Sequence, residues 1–200
     1  MQKPDIGLIF EENLPDEIFR EFEIGVKADG LKIIVETREP MGAMMCAEWF
    51  IFPTIMAYIG KSYFDVFLKE MGKEHYSLLK DKLSKLTDKA MSEPRIEPTL
   101  FATEGKISSN NPFSLACSIH AEAENGKVFK LLLPKHNNNS NYKLIVDRFM
   151  DFISDYHLGL QTLHSIGCPW EIEDLTSDMI FVHYNCETNE IEWLNHKDYK

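Results

Sequence analysis

The sequence predicts an α+β fold on a mixed or antiparallel sheet, and three observations predict it. Two long segments carry apolar residues at helical spacing. A third stretch alternates apolar and polar residues as a strand does. Short apolar runs rich in Ile and Val supply the remaining strands. The chain has 200 residues, 44% apolar and 26% charged, which suits one folded core rather than disorder, so a single α+β domain over 1–200 is expected.

Ile6-Gly7-Leu8-Ile9-Phe10 is apolar and bounded by acids, and reads as a buried strand. Pro15, Asp16 and Glu17 then open a helix, since Pro fits the first turn and acids suit its dipole. Ile18, Phe19, Phe22 and Val26 give that helix one apolar side, and Gly25 and Gly30 mark its end. Leu31 to Thr37 reads as a second strand, completing an N-terminal β-α-β unit.

Met41 to Ile59 holds one charge, Glu48, in 19 residues. It reads as a central, very apolar helix (about 41–59) kinked at Pro53, and it has three uses. As a core helix it is buried by the sheet and the amphipathic helices. As an interface it meets a partner or a second copy, giving a homo-oligomer through 41–59. As a membrane segment it has the ~20 residues that span a bilayer. Against the membrane stand Glu48 in mid-segment and the flanks, where Arg38 and Lys61 give no asymmetry of charge. Core burial is therefore the expectation.

The helix continues into an amphipathic one (about 62–91), with Ser62 and Asp65 as a capping pair. Phe64, Phe67, Leu68, Met71, His75, Leu78, Leu79 and Leu86 form its stripe. Pro94, Pro98 and Pro112 exclude helix from the next stretch, which reads as a β-meander (about 95–134). Phe113, Leu115, Cys117, Ile119 and Ala121 alternate there with Ser114, Ser118, His120 and Glu122, the pattern of a half-buried strand. Asn125-Gly126 signals a tight hairpin into Val128–Leu133. A helix (about 142–164) turns Ile145, Val146, Phe149, Phe152, Ile153, Tyr156, Leu160 and Leu163 inward, with Asp147, Asp151 and Asp155 opposite. Ile180–Tyr184 and Glu190–Leu194 close a C-terminal hairpin.

No phosphate-binding Gly loop, dinucleotide fingerprint, HExxH, GxSxG, CxxC or calcium-loop pattern occurs. No metal site and no cofactor are expected. Cys46, Cys117, Cys168 and Cys186 are widely spaced and no secretory leader precedes them, so reduced thiols in a cytoplasmic protein are expected. The catalytic candidates are His157, His183 and Cys117. His157 shares a predicted helix with His164, Asp151 and Asp155, a set able to do acid–base work. Cys117 with His183 makes a nucleophile–base pair if the fold joins them. His75, within an apolar stripe, reads as a core histidine, and His120 lies on the polar side of its strand.

The formal charge is −11, from 21 basic and 32 acidic residues. Residues 1–40 carry ten acids against five bases, and residues 170–200 eight against two. No Lys/Arg cluster exists to displace counterions from phosphates, which excludes a nucleic-acid partner. A basic protein is instead steered toward these acidic ends. Trp170, with Glu171, Glu173 and Asp174 just after it, supplies the partner-binding candidates. The expectation is a non-enzymatic acidic interaction module, of the inhibitor or immunity type, that neutralises a basic protein partner. The alternatives are a membrane-associated effector using 41–59 and a hydrolase-like enzyme with a motif-free site.

Overall fold

The computed structural model describes residues 3–40, 52–92, 111–137 and 139–195. The elements are β1 (Ile6–Glu11), α1 (Glu17–Val26), β2 (Ile33–Arg38), β3 (Ile55–Ile59), a π-helical turn (Tyr63–Phe67), α2 (Leu68–Ser92), β4 (Phe113–Glu122), β5 (Val128–Pro134), α3 (Tyr142–His157), β6 (Met179–Asn185) and β7 (Glu190–Trp193). The strands form one mixed sheet in the order β2-β1-β3-β4-β5-β6-β7. Three of its pairs are parallel, and each is bridged by one helix: β1 and β2 by α1, β3 and β4 by α2, β5 and β6 by α3. The pairs between these units are antiparallel, as is the closing hairpin of β6 and β7. The expected α+β class, the opening β-α-β unit and the C-terminal hairpin are all present.

Strand side chains alternate between faces, so register decides which residues meet the helices. Val35, Leu8, Ala57, Ile119, Leu131, Val182 and Trp193 are successive partners across all seven strands. This row and its neighbours pack under the helices. Phe10 stacks on Phe19 of α1 with ring centroids 3.6 Å apart, and Phe129 meets Phe152 of α3 edge-on at 5.2 Å. The helices lie side by side, α1 against α2 and α2 against α3. Buried His75 ties two of them, taking the Tyr63 hydroxyl at 3.1 Å on Nδ1 and donating from Nε2 to the Val26 carbonyl at 2.9 Å. It is a core histidine, as its place in the stripe implies.

The expected apolar helix is corrected. Residues 41–51 lie outside the described residues, but 55–59 form β3, between β1 and β4. An apolar run without period suits a strand buried on both faces as well as it suits a helix. Two β-branched residues and the preceding Pro53 decide for the strand here. No helix among the described residues is long and apolar enough to cross a membrane. The amphipathic helix begins afresh after Gly60.

Other boundaries move for local reasons. α3 ends at His157 rather than 164, and Gly159 takes φ 73° in the turn that follows. The part of the predicted meander from 93 to 110 lies outside the described residues, whereas β4 and β5 form the expected hairpin. Asn125 (φ 56°) and Gly126 (φ 74°) supply its positive-φ corner. The polar side of β4 is not exposed, since Ser114, Ser118 and His120 are all buried. α2 breaks at Gly72, where φ 74° and ψ −169° fall in a region that only glycine adopts freely.

Two stability tests follow. Ile59 is 0% exposed and Ile24 is 76% exposed. Ile59→Ala should cost about 2–5 kcal/mol in urea unfolding and Ile24→Ala less than about 0.5. A Cβ at Gly72 meets no atom within 4 Å. Gly72→Ala should therefore cost about 1–3 kcal/mol through backbone conformation alone, or else straighten α2, which amide exchange across 68–76 reads.

Candidate functional site

After α3 the chain runs through two short turns whose apolar residues anchor it. Leu163, Ile166, Cys168 and Ile172 are buried, and Gly167 (φ 86°) closes the first turn. Anchoring on both sides lifts Trp170 outward. Its indole remains 44% exposed and meets Trp193 of β7 edge-to-face, with centroids 5.4 Å apart and planes at 79°. The two rings bound a recess of about 260 Å³ with Asp174, Met179, Phe181 and Leu194.

Carboxylates surround this aromatic pair. Glu171, Glu173 and Asp174 are exposed, as is Asp178. Glu171 lies 3.6 Å from His164, and Glu173 accepts from the Asn125 amide at 3.1 Å. Residues 170–195 contain seven acids and no Lys or Arg. Lys127 approaches from β5 but its ammonium is turned inward, donating to the carbonyls of Leu175 (2.7 Å) and Ser177 (3.0 Å). That contact fixes the loop while leaving the surface negative. Of the four predicted partner-binding residues, Trp170 and Asp174 line the recess with Trp193, while Glu171 lies beside His164 and Glu173 beside Asn125. Only β-sheet register could show that Trp193 stands beside Trp170.

The catalytic candidates do not converge. Cys117 points under the helices, where burial pushes its thiol up to about 12, so it stays protonated and unreactive. His183 lies on the opposite face of the sheet, since its row is Met56, Ser118, Leu132 and His183. A Cys117–His183 pair is therefore ruled out by strand parity. His183 donates from Nδ1 to the Tyr184 carbonyl at 3.3 Å, and burial holds its imidazole below the ordinary value. His157 ends α3, stacked on Phe64 at 4.7 Å, and donates from Nε2 to the Glu122 carbonyl at 2.9 Å. Its Nδ1 is buried without a hydrogen-bond partner, and burial lowers its pKa. His164 belongs to a separate turn, not to the helix of His157. Asp151 is engaged with Lys80 at 2.7 Å. Among the described residues no three His, Cys, Asp or Glu side chains gather as metal ligands.

One polar cluster escapes sequence reading. On the face turned away from α1, α2 and α3, Gly7, Tyr58, His120, Lys130 and Phe181 are successive partners. His120 is 6% and Lys130 3% exposed, and the Lys130 ammonium lies 5.9 Å from the Phe181 ring centre. Burial brings Lys130 down to about 8. Burial, then the charge of Lys130, brings His120 to about 3. His120 Nε2 and the Ser118 hydroxyl are buried without hydrogen-bond partners. The signal in the sequence was the alternation of β4 combined with the Asn125-Gly126 hairpin, which sets His120 opposite Lys130.

Comparison of the chain with protein-family models, with curated proteins and with solved structures returned no match.

The buried histidines set a pH dependence. The imidazole of His120 titrates near 6.5 when unfolded and near 3 when folded. Between those values the unfolded chain holds the proton and the folded chain does not, so stability falls as pH drops below about 6.5. His157 and His183 act in the same direction. Urea unfolding between pH 7.5 and 5 should show this loss. His120→Leu should reduce the slope by up to about 1.4 kcal/mol per pH unit. An unchanged slope would mean that His120 ionises freely in the fold.

Proposed function

We propose that this protein is a non-enzymatic acidic interaction module that neutralises a basic protein partner, as inhibitors and immunity-type proteins do. The observation that carries the reading is Trp170, half-exposed, propped on Trp193 and set among Glu171, Glu173 and Asp174. An indole face beside carboxylates suits an arginine: the guanidinium stacks on the ring while its N–H groups reach the acids. Trp is enriched among residues that dominate binding energy, and anchors propped by a second aromatic lose little freedom on binding. The net charge of −11 steers a basic partner toward the chain over distances longer than any contact. The separation of Cys117, His183 and His157 gives the hydrolase alternative no comparable support.

The reading is tested by titrating an arginine-rich peptide into the protein and following tryptophan fluorescence. Saturable binding that weakens with added NaCl is expected. Trp170→Ala should cost about 2 kcal/mol, roughly 30-fold in Kd. Neutralising Glu171, Glu173 and Asp174 to their amides should flatten the salt dependence. Binding that ignores salt, or that Trp170→Ala leaves intact, would overturn the assignment.

A further inference from the structure

A second site lies away from the acidic surface, where α2 and α3 diverge. Between them runs a groove of about 680 Å³, within the size range of small-molecule sites. Its apolar lining comes from Phe64, Leu68, Tyr76 and Leu158, with the imidazole of His157 stacked on Phe64. Leu158 is 60% exposed, an apolar side chain that the fold leaves uncovered at the groove's end.

The charges along the groove are unbalanced in a specific way. Every carboxylate that lines it already has a cation: Asp81 pairs with Lys85 at 2.8 Å, Asp147 with Lys143 at 2.7 Å, and Asp151 with Lys80 at 2.7 Å. Lys69 and Lys73 line the same groove, are exposed, and form no ion pair among the described side chains. In a chain of net charge −11, the groove thus sets two exposed ammonium groups beside an apolar floor. Gly72, which breaks α2, stands between them in the groove wall, so the helical segment that resumes at Lys73 begins at the groove. A helix beginning there adds partial positive charge to that of the two lysines.

We infer that the α2–α3 groove binds a small amphipathic anion, its acyl body on Phe64, Leu68 and Leu158 and its carboxylate or phosphate head at Lys69 and Lys73. Apolar burial supplies the attraction and the paired cations select the charged head over a neutral one. Neither lysine touches the core, so both can be changed without unfolding the protein.

The test is calorimetric titration of the full chain with decanoate, decyl phosphate and decanol, each below its micelle concentration. One saturable site is expected for the anions, with decanol about tenfold weaker or more. Lys69→Gln/Lys73→Gln should weaken the anions about tenfold while leaving decanol and the thermal midpoint unchanged. Leu158→Ser should weaken all three ligands. A preference for decanoate or for decyl phosphate identifies the head group. Absence of saturable anion binding overturns the inference. So does equal binding of decanol and decanoate, or anion binding that survives the double substitution.

Discussion

One register across seven strands is the constraint on which the rest of this structure depends. Leu8, Ala57, Ile119, Leu131 and Val182 stand in line under the helices because their neighbours Gly7, Tyr58, His120, Lys130 and Phe181 stand in line on the other side. A slip of one residue in β4 alone would exchange Ile119 for His120 and bring an imidazole into the packed helical face. That exchange is costly, since it would set the His120 imidazole against the apolar side chains under the helices and expose Ile119 to the polar row of the reverse face.

The repeated use of one helix to bridge one parallel pair then accounts for the positions of both surfaces. α1, α2 and α3 each return the chain to a neighbouring strand, and they pack on one face, α1 against α2 and α2 against α3. α2 and α3 together line the groove, whose wall includes Gly72, where α2 breaks. The acidic aromatic surface arises at the other end of the logic: the connection from α3 to β6 is longer than its helix requires, and the excess chain carries Trp170 to the side of β7. Glu122, at the end of β4, binds the start of the chain to this framework. Burial raises its pKa, and hydrogen bonds from Lys3, the Lys61 N–H and Tyr58 outweigh that and keep it ionised.

What the sequence revealed was set by period. α1, β4 and α3 carry apolar residues at intervals of two or near 3.6, β1 and β2 are short apolar or β-branched runs bounded by polar residues, and each was legible. β3 was not, because Ile55-Met56-Ala57-Tyr58-Ile59 is apolar throughout and offers no interval to measure. The early end of α3 was hidden for a related reason: Leu160 and Leu163 keep the helical spacing beyond Gly159, although Leu160 is exposed and Leu163 is buried from a turn. The surface around Trp170 could be suspected from composition, since acids crowd that segment. The pairing of His120 with Lys130 followed from the Asn125-Gly126 hairpin, whereas the place of Trp193 beside Trp170 and the opposed faces of Cys117 and His183 depend on which strands are neighbours, and strand order leaves no mark in a single sequence.

The order of strands in space also bears on how the chain assembles. From β3 to β7 every strand lies beside the one that follows it in the chain, but only β4–β5 and β6–β7 close short loops; residues 60–112 and 135–178 separate the strands of the two parallel pairs. Only β1 departs from this, holding β2 on one side and β3 on the other. Assembly outward from the β-α-β unit therefore needs a long closure where β3 docks on β1, and again where β4 docks on β3 and β6 on β5. Such a topology leaves only the two hairpin pairings local, which slows folding and lengthens the time that the apolar centre of the sheet stands open to other chains.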